Sequence, residues 1–302
     1  MKRLWLLVAI LLSSPAFARS DSSVPQAPIE GLGGIAGLWY DPAFDGEGFN
    51  IIPTRAGLVV FFYGYTEEGQ RLWLISEAFS NEIAFGQMLD LQMYEGSGGT
   101  YDKPAPSEIA LSIWGRLKIE FIACDSARFE LDGLDGVKVT QQVKLAGIME
   151  ADCSLKALAA PSGLAGLWYD PALDGEGFNV ITTGDSTVIF YYGYTWDGER
   201  LWLISEALDG VPRLGITLNL KMYSAFGGTF DAPIPSSEGF SEWGNLAITF
   251  IQCNTAYARM SGQFGPLKKF SLVQLGQIEQ STCPESSTGD NVMLRVVLVT
   301  VE

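Results

Sequence analysis

The strongest constraint on the fold is a duplication. Residues 34–78 align without gaps on residues 163–207 at an offset of 129, and 32 of the 45 positions are identical. Weaker identity continues at the same offset as far as Cys124, beyond which a one-residue shift is needed. A repeat of this length is a domain-sized unit, so the architecture must be explained twice over. The expected layout is a signal segment 1–18, a polar linker 19–33, a first repeat 34–153, a linker 154–162, a second repeat 163–283 and a tail 284–302.

Differences between the copies show which way side chains point. Leu89, Leu91 and Met93 recur as Leu218, Leu220 and Met222, while Asp90 and Gln92 become Asn219 and Lys221. Leu117, Ile119 and Phe121 recur as Leu246, Ile248 and Phe250, while Lys118 and Glu120 become Ala247 and Thr249. A period of two, apolar on one face and replaceable on the other, predicts half-buried antiparallel strands. The run at 59–65 is apolar on both faces. Val59, Phe61, Tyr63 and Tyr65 are repeated as Val188, Phe190, Tyr192 and Tyr194. That strand is either covered on both sides within its own domain or fronts another domain. Turn signals such as Asp197-Gly198 fall about every ten residues. The expectation is an all-β chain of two tandem antiparallel domains with about eight strands each. A small up-and-down barrel is favoured over a β-sandwich, because closure removes exposed edges.

Lys2 and Arg3, the apolar run 4–12 and Ala16-Phe17-Ala18 form the pattern of a cleaved secretory signal. The apolar run is far short of the ~20 residues that span a bilayer, and no later segment is long enough, so no transmembrane segment is expected. In an exported chain four cysteines read as disulfides, one inside each repeat: Cys124 with Cys153, and Cys253 with Cys283. The chain has no histidine, which removes the Ser-His-Asp relay and the His-ligated metal site. A net charge of −16 argues against nucleic acid as a partner. No cofactor is expected.

Gly37-Leu38-Trp39-Tyr40-Asp41-Pro42, Gly46-Glu47-Gly48-Phe49, Tyr63-Gly64-Tyr65 and Leu72-Trp73-Leu74 together resemble a repeat of exported bacterial proteins with the outline GxWYDP, GxGF, YxY, GxxxWL. That resemblance covers both repeats and implies a secreted β-repeat protein without an assigned activity. The Gly-x-Trp opening, at Gly37 to Trp39 and again at Gly166 to Trp168, is also similar to the first strand of lipocalin and avidin barrels.

Candidate sites follow from the repeated polar and aromatic residues. Asp41, Asp45 and Glu47, with Asp170, Asp174 and Glu176, offer oxygen ligands to calcium, but the spacing fails as an EF-hand loop and a tight turn explains it better. The octapeptide 71–78 recurs whole at 200–207. Core packing constrains one face of a strand, so something acts on both faces here. Arg71 and Glu77 are six residues, ~20 Å, apart along a strand, so each needs a cross-strand partner or a ligand. The binding candidates are Trp39, Tyr63, Tyr65, Arg71, Trp73 and Glu77 with Trp168, Tyr192, Tyr194, Arg200, Trp202 and Glu206. Trp196, at a hairpin tip, is read either as a stacking platform or as part of an inter-repeat interface. Glu77 and Glu206 are the weak catalytic candidates, since glycoside hydrolysis needs two carboxylates and no histidine. The expected function is an exported, non-enzymatic binding protein whose extracellular or envelope ligand is a glycan, a peptide or a small apolar molecule. The alternatives are a carboxylate-dependent glycan-cleaving enzyme and a structural or adhesive spacer.

Overall fold

Each repeat closes on itself. A computed structural model describes residues 28–103, 111–147, 153, 163–173, 175–183, 186–262 and 266–277. The signal segment, the linker 154–162, Asp174, Cys283 and the tail 284–302 lie outside the described residues. In the first repeat β1 (Gly37–Tyr40), β2 (Gly48–Thr54), β3 (Gly57–Tyr65), β4 (Arg71–Ser76), β5 (Met88–Glu95), β6 (Ser112–Ala123), β7 (Ser126–Gly133) and β8 (Gly136–Gly147) pair in sequence order. Pairing of β1 with β8 completes an antiparallel up-and-down barrel. In the second repeat β9 (Gly166–Tyr169), β10 (Gly177–Thr182), β11 (Ser186–Tyr194) and β12 (Arg200–Ser205) lead to a two-residue strand β13 (Leu208–Asp209), which pairs with β11. Then β14 (Thr217–Ala225), β15 (Phe240–Gln252), β16 (Thr255–Gly262) and β17 (Lys268–Gln277) complete a second barrel, closed between β17 and β9. The up-and-down barrel is thus the architecture, not the sandwich.

The period-two reading holds strand by strand. Leu89, Leu91, Met93, Leu117, Ile119 and Phe121 fill the first barrel, and their counterparts fill the second. Trp39 and Trp168 lie inside their own barrels, with each indole N–H donating to a carbonyl four residues back, that of Ile35 or Leu164, at 2.9 Å. Strand β8 departs from hydropathy. It turns Lys138, Thr140 and Gln142 inward and leaves Val137, Val139, Val143 and Leu145 exposed. Cys124 and Cys153 form a disulfide across 29 residues, worth roughly 3–4 kcal/mol in the chain-entropy picture. Cys253 is disulfide-bonded as well.

The two barrels share a third core between them. The outward faces of β1–β4 and β9–β12 pack together, burying Phe61, Tyr63, Tyr65 and Trp73 against Phe190, Tyr192, Tyr194 and Trp202. This explains why the 59–65 run is apolar on both faces: one fills a barrel and the other fronts the second domain. Contacts across the interface come in reciprocal pairs at the repeat offset. Trp73 Nε1 donates to Gly193 O and Trp202 Nε1 to Gly64 O, both at 3.1 Å. Tyr63 stacks on Phe190 at 4.9 Å, and Phe61 meets Tyr192 at 5.0 Å. Such i-to-j and j-to-i pairing is the signature of a two-fold interface, here inside one chain.

Each repeat also lends its neighbour a plug. Tyr101, from the loop after β5, packs in the core of the second barrel, and Phe230, from the loop after β14, packs in the core of the first. Their backbones are pinned across the interface, Tyr101 N to Thr195 O at 2.9 Å and Phe230 N to Thr66 O at 3.0 Å. Glycine makes the crossing feasible. A Cβ on Gly228 would lie 2.5 Å from the Tyr65 ring, and one on Gly99 would lie 2.3 Å from the Tyr194 ring.

Truncating a fully buried aromatic costs about 3–5 kcal/mol. Phe230→Ala, a change in the second repeat, is therefore expected to lower amide protection in β3, β6 and β8 of the first barrel more than in β15 and β16. Native-state hydrogen exchange checks this; equal loss in both barrels would contradict the exchanged plug.

Candidate functional site

Although the aromatic residues of β3 and β4 at the interface are identical in the two repeats, their arrangement is not. Tyr63 and Tyr192 are equivalent residues opposite the equivalent glycines Gly48 and Gly177. Tyr192 lies over its own glycine, so that a Cβ on Gly177 would meet its hydroxyl at 2.5 Å. Tyr63 instead reaches across the interface, where its hydroxyl accepts a hydrogen bond from Asn179 Nδ2 at 2.5 Å. Above Gly48 the nearest atoms are those of Trp39 and Tyr40. The space over Gly177 is filled by Tyr192; the space over Gly48 is open.

That opening is a groove of about 510 Å³ between the barrels. Leu38, Tyr40, Gly48, Asn50 and Tyr63 form its wall on the first barrel, and Phe190, Trp202, Ile204 and Phe240 form the opposite wall. Its volume suits a small ligand, and its lining is largely apolar and aromatic. Leu145 lies at its edge, beyond which the exposed Val143 and Val139 continue an apolar row along β8. The polar side chains of the lining are Asp45, Glu47 and Asn50, beside the tyrosine hydroxyls. Asn50 is 1% exposed and its amide faces the Tyr63 hydroxyl, while its Oδ1 has no hydrogen-bond partner among the described residues. Its counterpart Asn179 uses its Nδ2 on Tyr63. A buried acceptor without a partner costs free energy on the order of 1–3 kcal/mol, and that cost is recovered when a donor arrives.

Behind the groove, each barrel mouth holds a buried ion pair. Lys138 Nζ bonds both carboxylate oxygens of Glu47, at 2.7 and 2.8 Å, with the two side chains 3% and 5% exposed. The plug residue Phe230 covers it, its ring centroid 4.3 Å from Lys138 Nζ. In the second barrel Lys268 pairs with Glu176 at 2.5 Å, Tyr191 donates to the same carboxylate, and the Tyr101 ring lies 4.9 Å from Lys268 Nζ. Burial pushes the Glu47 carboxyl up to about 7, opposed by Lys138. Burial likewise raises Glu176 and lowers Lys268. Both lysines escape notice in the sequence because they recur at an offset of 130, not 129.

Most of the remaining sequence candidates have structural partners, although the buried Tyr65 and Tyr194 hydroxyls have none among the described residues. Asp41 accepts from Ala43 N at 2.9 Å and Gln141 N at 2.7 Å, and Asp170 accepts from Ala172 N and Ser271 N. These carboxylates cap the turn and tie β1 to β8 and β9 to β17. Asp45 borders the groove. Among the described residues no three His, Cys, Asp or Glu side chains gather as a metal set. Arg71 donates to Arg200 O at 3.3 Å and Arg200 to Arg71 O at 3.4 Å. Arg200 also pairs with Glu95, whereas Arg71 faces Ser224 at the equivalent position. Glu77 and Glu206 are exposed and accept from the backbone N–H groups of Gln92 and Lys221. The partners sought for Arg71 and Glu77 are therefore the other barrel and the next strand. Trp196 packs on Tyr101 at 5.5 Å, which places it at the inter-repeat interface. Of the sequence candidates, Trp39, Tyr63, Trp202, Asp45 and Glu47 border the groove; Asn50, which also lines it, was not among them. Its one signal is that a polar residue recurs unchanged, as Asn179, at an outward position of β2.

No family model, curated protein or solved structure matches this chain. Among the described residues no helix is long and apolar enough to cross a membrane.

The raised carboxyl gives a pH dependence of known sign. The folded Glu47 titrates near 7 against 4.5 for the unfolded group, so the unfolded chain loses its proton first as pH rises. The contribution of Glu47 to stability is present below about 4.5 and declines as pH climbs to about 7. Replacing a buried ion pair by neutral residues is often neutral or stabilising. Glu47→Gln with Lys138→Met is expected to gain on the wild type in melting temperature between these pH values. A difference that stays constant across the range would contradict the assignment.

Proposed function

We propose that the chain is an exported, non-enzymatic binding protein whose ligand occupies the groove between the barrels. The ligand is a small, mainly apolar molecule that presents a hydrogen-bond donor, as an amide N–H does. The observation that carries this reading is the aromatic groove between the barrels with Asn50 on its wall, the Oδ1 of that residue unmet among the described residues. A ligand N–H would donate to that oxygen. Trp202, Phe190 and Phe240 supply the apolar surface. Export is supported by the signal pattern at 1–18 and by the disulfides, which persist in oxidising compartments.

The enzymatic alternative has less support. Glu77 and Glu206 are engaged with strand backbone, and Glu47 with Lys138. None is a free acid facing an acid across a cleft, as carboxylate-pair hydrolysis requires.

Titration with N-acetylated aromatic and acyl amides, followed by tryptophan fluorescence and melting temperature, tests the reading. Binding is expected for at least one amide, weakened at least about tenfold by Asn50→Leu, which removes the Oδ1 acceptor while keeping the volume. A panel without effect, or affinity unchanged by Asn50→Leu, would refute it.

A further inference from the structure

The outer face of the second barrel, away from the groove, has been rebuilt relative to the first. Two rows of side chains cross four strands there, and strand register matches them position for position. In the first barrel one row runs Asp90, Lys118, Glu130, Val139 and the next Met88, Glu120, Arg128, Gln141. These form an alternating charge ladder. Lys118 meets Glu130 at 2.8 Å, Arg128 meets Glu130 at 3.3 Å, and Asp90 pairs with Arg116 at 2.7 Å.

In the second barrel the first row becomes Asn219, Ala247, Arg259, Lys269 and the second Thr217, Thr249, Tyr257, Ser271. Every carboxylate has gone from both rows. Arg259 and Lys269 are direct cross-strand neighbours, both exposed, and neither forms an ion pair among the described residues. Like charges placed opposite one another destabilise a sheet. The second row is four hydroxyls in line, with the Thr217 and Thr249 hydroxyls 2.8 Å apart and the Tyr257 ring 62% exposed. The two rows line a concavity of about 410 Å³.

We propose that this face binds an acidic glycan. Arg259 and Lys269 take the carboxylate or sulfate of one sugar residue through charge-assisted hydrogen bonds. Thr217, Thr249 and Ser271 exchange hydrogen bonds with sugar hydroxyls, being both donors and acceptors. Tyr257 offers a ring face to the apolar side of a pyranose. A single glycan chain reaches the patch alone, whereas an anionic bilayer would confront the whole acidic molecule and be repelled. The site is independent of the groove and of the ligand assigned there.

The test uses the full chain at about 50 mM salt, where charge-based binding is strongest. Calorimetric titrations with oligogalacturonate, a sulfated heparin-type oligosaccharide, neutral dextran and phosphatidylglycerol vesicles separate carboxylate, sulfate, neutral sugar and lipid headgroup. Binding of at least one acidic oligosaccharide but not dextran is expected. It falls at least about tenfold in Arg259→Ala with Lys269→Ala, as for the loss of charged hydrogen bonds, and the melting temperature does not drop. Lys118→Ala with Arg128→Ala on the first barrel, and Asn50→Leu in the groove, leave it unchanged. Absence of binding to either acidic oligosaccharide, equal affinity in the Arg259/Lys269 variant, or binding to vesicles alone would overturn the proposal.

Discussion

Two indole hydrogen bonds organise the molecule. Trp73 donates to a carbonyl of the second barrel and Trp202 to the equivalent carbonyl of the first. An indole N–H buried without a partner is costly, so each bond fixes where the other barrel's β-strand must lie. Around them the tyrosine and phenylalanine rings interleave, each pair worth about 0.5–1.5 kcal/mol beyond the area it buries. Separating the barrels would expose this whole aromatic surface, withdraw Phe230 and Tyr101 from the opposite cores and uncover two buried ion pairs. The repeats are thus two closed sheets but a single packed body, with the geometry of a homodimer carried on one chain.

Exact two-fold symmetry would have left two equal sites. The proposed sites lie where the copies differ. The tyrosines that meet near the dyad adopt different positions, one closing the space over Gly177 and the other leaving the space over Gly48 open beside Asn50. On the outer faces, the first barrel carries a self-satisfied charge ladder where the second carries two cations and a line of hydroxyls. The same contrast appears inside the interface, where Arg200 keeps Glu95 and Arg71 is left facing Ser224. The scaffold is thus common to both copies, and the differences between them lie in side-chain placement around Asn50 and in the charges on the outer faces.

The barrels were legible in the sequence because comparison of the copies separates inward from outward positions, as with Leu89, Leu91 and Met93. The double-sided apolar run at 59–65 announced that something covers the outside. What it could not say was that the cover is the other copy, because a contact at offset 129 leaves no local pattern. Nothing local in the sequence singles out Asn50, because its role depends on the groove that packing of the two barrels leaves beside it. Nor does the sequence show that Glu47, a calcium or turn candidate by its spacing, pairs with a lysine 91 residues away on β8. That strand also defeats hydropathy. Its valines face out because Lys138 must face in to reach Glu47 and Gln142 to reach Thr140.

The central claim, that two barrels make one body through the reciprocal aromatic interface, is tested most directly by cutting the chain between them. A protease site placed in 154–162 allows the native protein to be cleaved without altering either barrel. Sedimentation velocity of the cleaved sample is expected to show one species at the mass of the intact chain, its melting transition still single. Two half-mass species, each melting as a folded barrel, would contradict it.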